Sequence, residues 1–113
     1  MAAASVRCLV KSLVSSHRVM VFSKSTCPFC MMAKDVLSEA GVPQPKVLEL
    51  DHIEEGQQVQ DALFELTGIR TVPNIFISGK CIGGGTDTAR LYETGELQQL
   101  LTEAGVLKKQ EDS

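Results

Sequence analysis

Along the 113-residue chain the spacing of apolar positions changes several times, and each change marks an element. Val6, Leu9, Val10, Leu13 and Val14 recur at helical spacing, and Ser5 is placed to cap the helix they predict. Such a stripe packs on a sheet and leaves Cys8 on the opposite face, near Lys11 and Ser12. Arg18 to Ser23, built on Val19-Met20-Val21-Phe22, reads as a buried strand. Helical spacing returns over Met31 to Ala40, with Met32, Ala33, Val36, Leu37 and Ala40 inward. Pro28 falls in the first turn of that helix, where its missing N–H is tolerated; Gly41 and Pro43 end it. Lys46 to Asp51 alternates, with Val47 and Glu49 on one side and Leu48 and Leu50 on the other, and predicts a second strand. A polar loop from His52 to Gly56 leads into a helix whose buried face is Val59, Ala62, Leu63 and Leu66, ended by Gly68. Pro73 to Ile77 is a third strand, turned by Ser78-Gly79-Lys80 into a short partner at Cys81-Ile82. After Gly83-Gly84-Gly85, Thr86 or Asp87 can cap a helix that runs through Tyr92. Gly95 breaks it, and Leu97, Leu100, Leu101 and Ala104 mark a last amphipathic turn or two.

The order is helix, strand, helix, strand, helix, hairpin, helix. Two strands joined through a helix are parallel with a right-handed crossover. The hairpin adds antiparallel strands. The pattern therefore predicts an α/β fold: a four-stranded mixed sheet flanked by helices on both faces. The length suits one domain, 1–113, with a core of about 6–104 and a flexible tail of about 107–113.

Composition narrows the function classes. A net charge of −3, with no basic block, argues against nucleic acid as a partner. No apolar run approaches a membrane span. Four cysteines are too few for a secreted disulfide framework, and no continuous apolar signal segment opens the chain. The expected setting is the cytoplasm. Mitochondrion and nucleus stay open: no acidic residue precedes Asp35, while Arg7, Lys11, Arg18 and Lys24 do, which also suits a mitochondrial presequence.

The candidate chemistry lies in Ser23-Lys24-Ser25-Thr26-Cys27-Pro28-Phe29-Cys30, at the junction of the first strand and second helix. Two cysteines two residues apart can close a small disulfide and open it again. The thiolate is the reactive form, and the start of a helix, with Lys24 three residues away, favours an anion at Cys27. Cys30, one turn inside, is expected to be less exposed and less ionised. Cys27 is therefore the attacking sulfur and Cys30 the resolving one. A structural zinc site is the alternative, but one Cys-x-x-Cys supplies two of four ligands, and Cys8 and Cys81 lack paired spacing. Cys81 reads as a small buried apolar residue, and Met31 and Met32 as core and cleft lining.

These residues resemble the glutaredoxin family. Ser-Lys-Ser-Thr-Cys-Pro-Phe-Cys at 23–30 is similar to its active-site motif, and Glu49-Leu50-Asp51, Thr71-Val72-Pro73-Asn74 and Ile82-Gly83-Gly84-Gly85-Thr86-Asp87 resemble its later motifs in order. The resemblance runs from about Val6 to Ala104. A thioredoxin would carry Trp-Cys-Gly-Pro-Cys, and this chain has no Trp. Gly83 to Leu91 is most similar in wording to the vertebrate mitochondrial and nuclear type, the second vertebrate glutaredoxin. The resemblance implies a thioredoxin fold with a cis peptide bond before Pro73. It implies glutathione as co-substrate, with Lys24, Gln60 and Arg70 at the glycine carboxylate end. Val72 would meet the cysteinyl part and Thr86 and Asp87 the γ-glutamyl end, with Thr71 also among the glutathione-binding residues. It implies a glutathione-disulfide oxidoreductase acting on glutathionylated or disulfide-bonded proteins. Glutathione reductase would serve it indirectly, through glutathione, and the protein would be a monomer.

Three departures stand out. Phe29 stands where many dithiol members have Tyr. Met31 and Met32 stand where a basic residue often follows the second Cys. Pro28 stands where the mitochondrial type has Ser, a version that permits a [2Fe–2S] cluster held by Cys27-type sulfurs of two protomers and two glutathiones. Pro stiffens the loop and removes an N–H, so the cluster-binding dimer is the alternative and not the favoured reading.

Overall fold

The computed structural model describes residues 3–108. The elements are α1 (Ala4–Ser16), β1 (Val19–Ser23), α2 (Pro28–Glu39), β2 (Lys46–Glu49), a 3₁₀ turn (Leu50–His52), α3 (Gly56–Thr67), β3 (Asn74–Ile77), β4 (Lys80–Gly83), α4 (Gly85–Thr94) and α5 (Glu96–Glu103). The sheet order is β2-β1-β3-β4. β1 and β2 are parallel, with Met20 opposite Lys46 and Ser23 opposite Glu49. β3 runs antiparallel to β1, with Phe22 opposite Asn74, and β4 antiparallel to β3. The mixed four-stranded sheet of the thioredoxin fold is thus present, and the Val72–Pro73 bond is cis.

β1 is buried at all five positions because helices cover both faces of the sheet. Its side chains divide the interior in two. Met20 and Phe22 join Val6, Val10 and Val14 of α1 with Val59, Ala62 and Leu63 of α3. Phe22 meets Phe76 edge to face, ring centroids 5.8 Å apart. Val19 and Val21 face the other way, onto Ala33 and Leu37 of α2 and Leu97 and Leu101 of α5.

Several local expectations are corrected. Ser5 lies inside α1 and caps nothing; the N-cap position is Ala3, with no side-chain hydrogen bond, so packing of the Val6-Val10-Val14 stripe holds the helix start. That stripe is narrow, and Leu9 on its margin is exposed. Leu66 is exposed as well, because Val59, Ala62 and Leu63 already fill the contact of α3 with α1 and the sheet. Asp51 is in the 3₁₀ turn and not in the strand. Cys81 is exposed, because β4 is an edge strand with a neighbour on one side only; its thiol reaches back to donate to Oδ1 of buried Asn74 at 3.3 Å. Leu107, where the expected tail begins, packs with Val106 on the second cluster; 109–113 lie outside the described residues.

α4 begins against α2 with no space between them. A Cβ at Gly85 would lie 2.9 Å from the Phe29 carbonyl oxygen and 3.0 Å from the Met32 methyl. Gly85→Ala is therefore expected to cost about 1–3 kcal/mol through overpacking. Urea unfolding measures it, and an unchanged midpoint would contradict that contact.

Candidate active site

The site forms where β1 ends and α2 begins. Cys27 is the N-cap residue of α2, with extended backbone (φ −93°, ψ 117°), and Pro28 occupies the first helical turn. A helix start leaves backbone N–H groups without carbonyl partners. One of them, the N–H of Cys30, donates to Cys27 Sγ at 3.3 Å. The sulfur thus fills the role an Asp or Ser oxygen usually fills, and an N–H aimed at it suits an anion. Cys27 Sγ also lies 3.7 Å from the Val72 carbonyl oxygen, to which the thiol donates. All four cysteines are free.

The two sulfurs are unequal, as their spacing predicts. Cys27 is half-buried and Cys30 fully buried. Cys30 Sγ accepts the Lys24 backbone N–H at 3.5 Å. Burial pushes the Cys30 thiol up, and its hydrogen bond with Cys27 adds to that; the Lys24 N–H acts the other way and is outweighed.

The loop ahead of Cys27 is held by an anchor that periodicity does not reveal. Asp51, in the 3₁₀ turn after β2, accepts the Ser25 backbone N–H at 3.0 Å and the Ser25 hydroxyl on its other oxygen. These bonds hold the Asp51 carboxyl below the usual carboxylate range. Cys27 N–H, in turn, donates to the Lys24 carbonyl at 3.1 Å.

Beside Cys27 runs a cleft of about 370 Å³ between α2, the segment before β3, and the start of α4. Of the residues expected there, Thr71, Val72, Pro73, Thr86 and Asp87 line it, joined by Phe29 and Ile69. Gly83, at φ 106°, lets the carboxylate of Asp87 fold back to accept the Gly84 N–H at 3.0 Å; a Cβ there would lie 2.3 Å from Oδ2. Asp87 therefore caps α4 from inside its first turn, which leaves its other oxygen available. Lys24, Gln60 and Arg70 do not line the cleft. Gln60 donates its amide to the Arg70 carbonyl at 2.6 Å, and the Arg70 guanidinium lies over the Phe64 ring, 3.9 Å from its centroid. Phe64 and the Ser25–Asp51 pair are the contributors that sequence reasoning missed. Phe64 carried a signal, an aromatic residue on the polar side of α3.

No group of three or more His, Cys, Asp or Glu among the described residues is arranged to hold a metal ion. Cys27 is the one partly exposed sulfur of the pair, so a cluster here would draw its other ligands from outside this chain. No helix among the described residues is long and apolar enough to cross a membrane.

Two outcomes follow from this geometry. With limiting iodoacetamide at neutral pH, mass spectrometry should find Cys27 alkylated before Cys30; the reverse order would contradict the burial described. The second concerns acid. A carboxyl held low in the folded state stabilises the fold fully above its ordinary value of 3.8, and the contribution is lost as pH falls through the lower folded value. The gap in melting temperature between the native chain and Asp51→Asn is thus constant near neutrality and shrinks below that value. A gap independent of pH would remove the charge from the anchor.

The comparisons with known proteins bear on the family. The family model Glutaredoxin matches residues 19–82. Glutaredoxin-C4 of Arabidopsis thaliana is 50% identical over 96 residues, 85% of this chain and 70% of that protein. The mitochondrial Glutaredoxin-2 of Mus musculus is 44% identical over 103 residues, 91% of this chain and 65% of that protein. The crystal structure of a buckwheat glutaredoxin–glutathione complex superposes with a TM-score of 0.85 at 35% identity, covering 93% of this chain and 98% of that one. The chain belongs to the glutaredoxin family, as an oxidoreductase of the dithiol type with a Cys-x-x-Cys site.

Proposed function

We propose that the cleft beside Cys27 seats glutathione and that the protein uses it to reduce glutathionylated and disulfide-bonded proteins. The single observation that carries this is the 370 Å³ cleft, which joins the Val72 edge to the start of α4 next to the half-buried sulfur of Cys27. The Val72 backbone suits the cysteinyl part, as an extended peptide added to a strand edge. The first-turn N–H groups of α4 suit the γ-glutamyl carboxylate, and the free oxygen of Asp87 its ammonium. Thr71 and Thr86 border these two ends. Lys24, Gln60 and Arg70 serve the glycine carboxylate from outside the cleft wall: Arg70 and Lys24 by charge, Gln60 through its bond to Arg70. The glutathione complex of the buckwheat relative supports the ligand class.

The reaction follows from the inequality of the sulfurs. Cys27 thiolate attacks the glutathione sulfur of a mixed disulfide. The protein leaves as a thiolate, and Cys27 carries glutathione. A second glutathione attacks that sulfur, releasing oxidised glutathione and restoring Cys27; glutathione reductase recycles the product. For a protein disulfide, Cys27 forms the mixed disulfide with one protein sulfur, and Cys30, deprotonated as it attacks, closes the Cys27–Cys30 bond and frees the second thiol. Cys30 stays a thiol until then, since burial holds its proton.

A monomer in the cytoplasm is the proposed setting, with mitochondrion or nucleus as the alternatives to test by tagging. The wording of Gly83 to Leu91 drew the chain towards the vertebrate type, yet the plant relative is 50% identical and the mouse one 44%; the support is for a dithiol glutaredoxin and not for that subgroup.

In a coupled assay with glutathione reductase, Cys30→Ser is expected to keep deglutathionylation and lose the reduction of protein disulfides, while Cys27→Ser loses both. Equal loss of deglutathionylation in the two variants would overturn the single-thiol step. Replacing Asp87 and Lys24 together by Ala should raise the KM for the glutathionylated substrate; an unchanged KM would take both residues out of the site.

A further inference from the structure

Two residues one turn apart on the same face of α3 grip Arg70 at both its ends. Gln60 donates its side-chain amide to the Arg70 carbonyl oxygen at 2.6 Å. Phe64, four residues later, places its ring under the guanidinium at 3.9 Å. The backbone bond fixes where Arg70 starts and the ring contact fixes where its charge ends. Among the described residues Arg70 has no carboxylate partner and no side-chain hydrogen bond. Neighbouring Glu65 is paired with Arg7 on the α1 side, at 2.8 Å. A guanidinium held against a ring keeps most of its five N–H donors for an anion. It has also given up rotamer freedom that a free surface arginine loses only on binding.

We infer that Phe64 is a positioning residue that presets Arg70, and through it sets the preference of the site for a substrate carrying a carboxylate at its glycine end. Phe64 does not line the cleft. It is partly exposed on the outer side of α3 and belongs to neither core cluster. Its visible partner is the arginine charge, and the pairing is charge-selective: a ring attracts a cation, and Leu of similar size does not. The inference rests on Arg70 serving the glycine end in the proposed site, so the test separates the two ideas.

Steady-state kinetics are compared for two substrates: a peptide in mixed disulfide with glutathione, and the same peptide with glutathione whose glycine carboxylate is converted to the amide. Phe64→Leu and Phe64→Ala should each raise KM for the first substrate about two- to five-fold, the worth of an exposed cation–π contact. The kcat should not change, nor should KM for the amide. Phe64→Tyr should behave as the native chain. Arg70→Ala should raise KM for the first substrate at least as much and leave the amide unchanged. If Arg70→Ala raises KM and the Phe64 variants do not, the inference is overturned while the role of Arg70 stands. If Arg70→Ala itself changes nothing, the glycine-end assignment fails and the inference with it. A rise in KM for both substrates alike in Phe64→Leu would reduce Phe64 to a general structural part and overturn the inference.

Discussion

The thiol of Cys27 occupies the place that an oxygen fills at most helix starts, and much of the structure is arranged to keep it there. The N–H of Cys30 ends on that sulfur at 3.3 Å. For this contact to exist, β1 must deliver the chain to the helix start in an extended conformation, and Pro28 must continue it into α2. β1 is buried on both faces and so cannot shift without disturbing both interior clusters. The reactive atom is thus mounted just beyond a central strand buried on both faces, with its own hydrogen bond as the last link. That bond also divides the labour of the pair: the residue whose N–H holds Cys27 is the one whose own thiol is shut away and protonated.

A second constraint is imposed by Asp51. The segment from Lys24 to Thr26 has little apolar surface with which to pack, so it is tied by polar contacts. A carboxylate in the 3₁₀ turn after the neighbouring strand takes both the N–H and the hydroxyl of Ser25. The parallel register of β1 and β2, with Ser23 opposite Glu49, brings Asp51 to that spot. The loop geometry is therefore inherited from strand pairing.

What could be read from sequence divides along physical lines. Element order, the parallel crossover, the hairpin and the placement of the Cys pair were legible because they follow from the period of apolar residues and from Gly and Pro punctuation. The inequality of Cys27 and Cys30 was legible because a helix start and one turn inside it are different environments. The misjudged positions are those where neighbours far along the chain decide. Leu9 and Leu66 satisfy the helical period yet sit at the margins of narrow contacts. Cys81 is in a strand, but at the sheet edge, and strand order does not follow from local pattern. Buried Asn74 is stable inside because it donates to Thr67 Oγ1 at 3.2 Å and accepts from Cys81, partners seven residues away on either side. Gln60, Phe64 and Arg70 could be named or passed over individually; that they form one arrangement depends on the turn after α3, which no spacing rule supplies.

The cleft has walls of different parentage. Val72 belongs with the α1–α3 side of the sheet, whereas Phe29 and the Gly84–Asp87 segment belong with α2 and α4 on the other side. Among the described residues, the extensive helix–helix contacts lie within each layer, α1 with α3 on one side and α2 with α4 and α4 with α5 on the other, and the sheet stands between. A molecule spanning the cleft acts as a cross-brace between halves that otherwise lean on a common partition. Its occupancy should therefore be felt as stiffness well away from the sulfur, in the helices that flank the sheet on opposite faces.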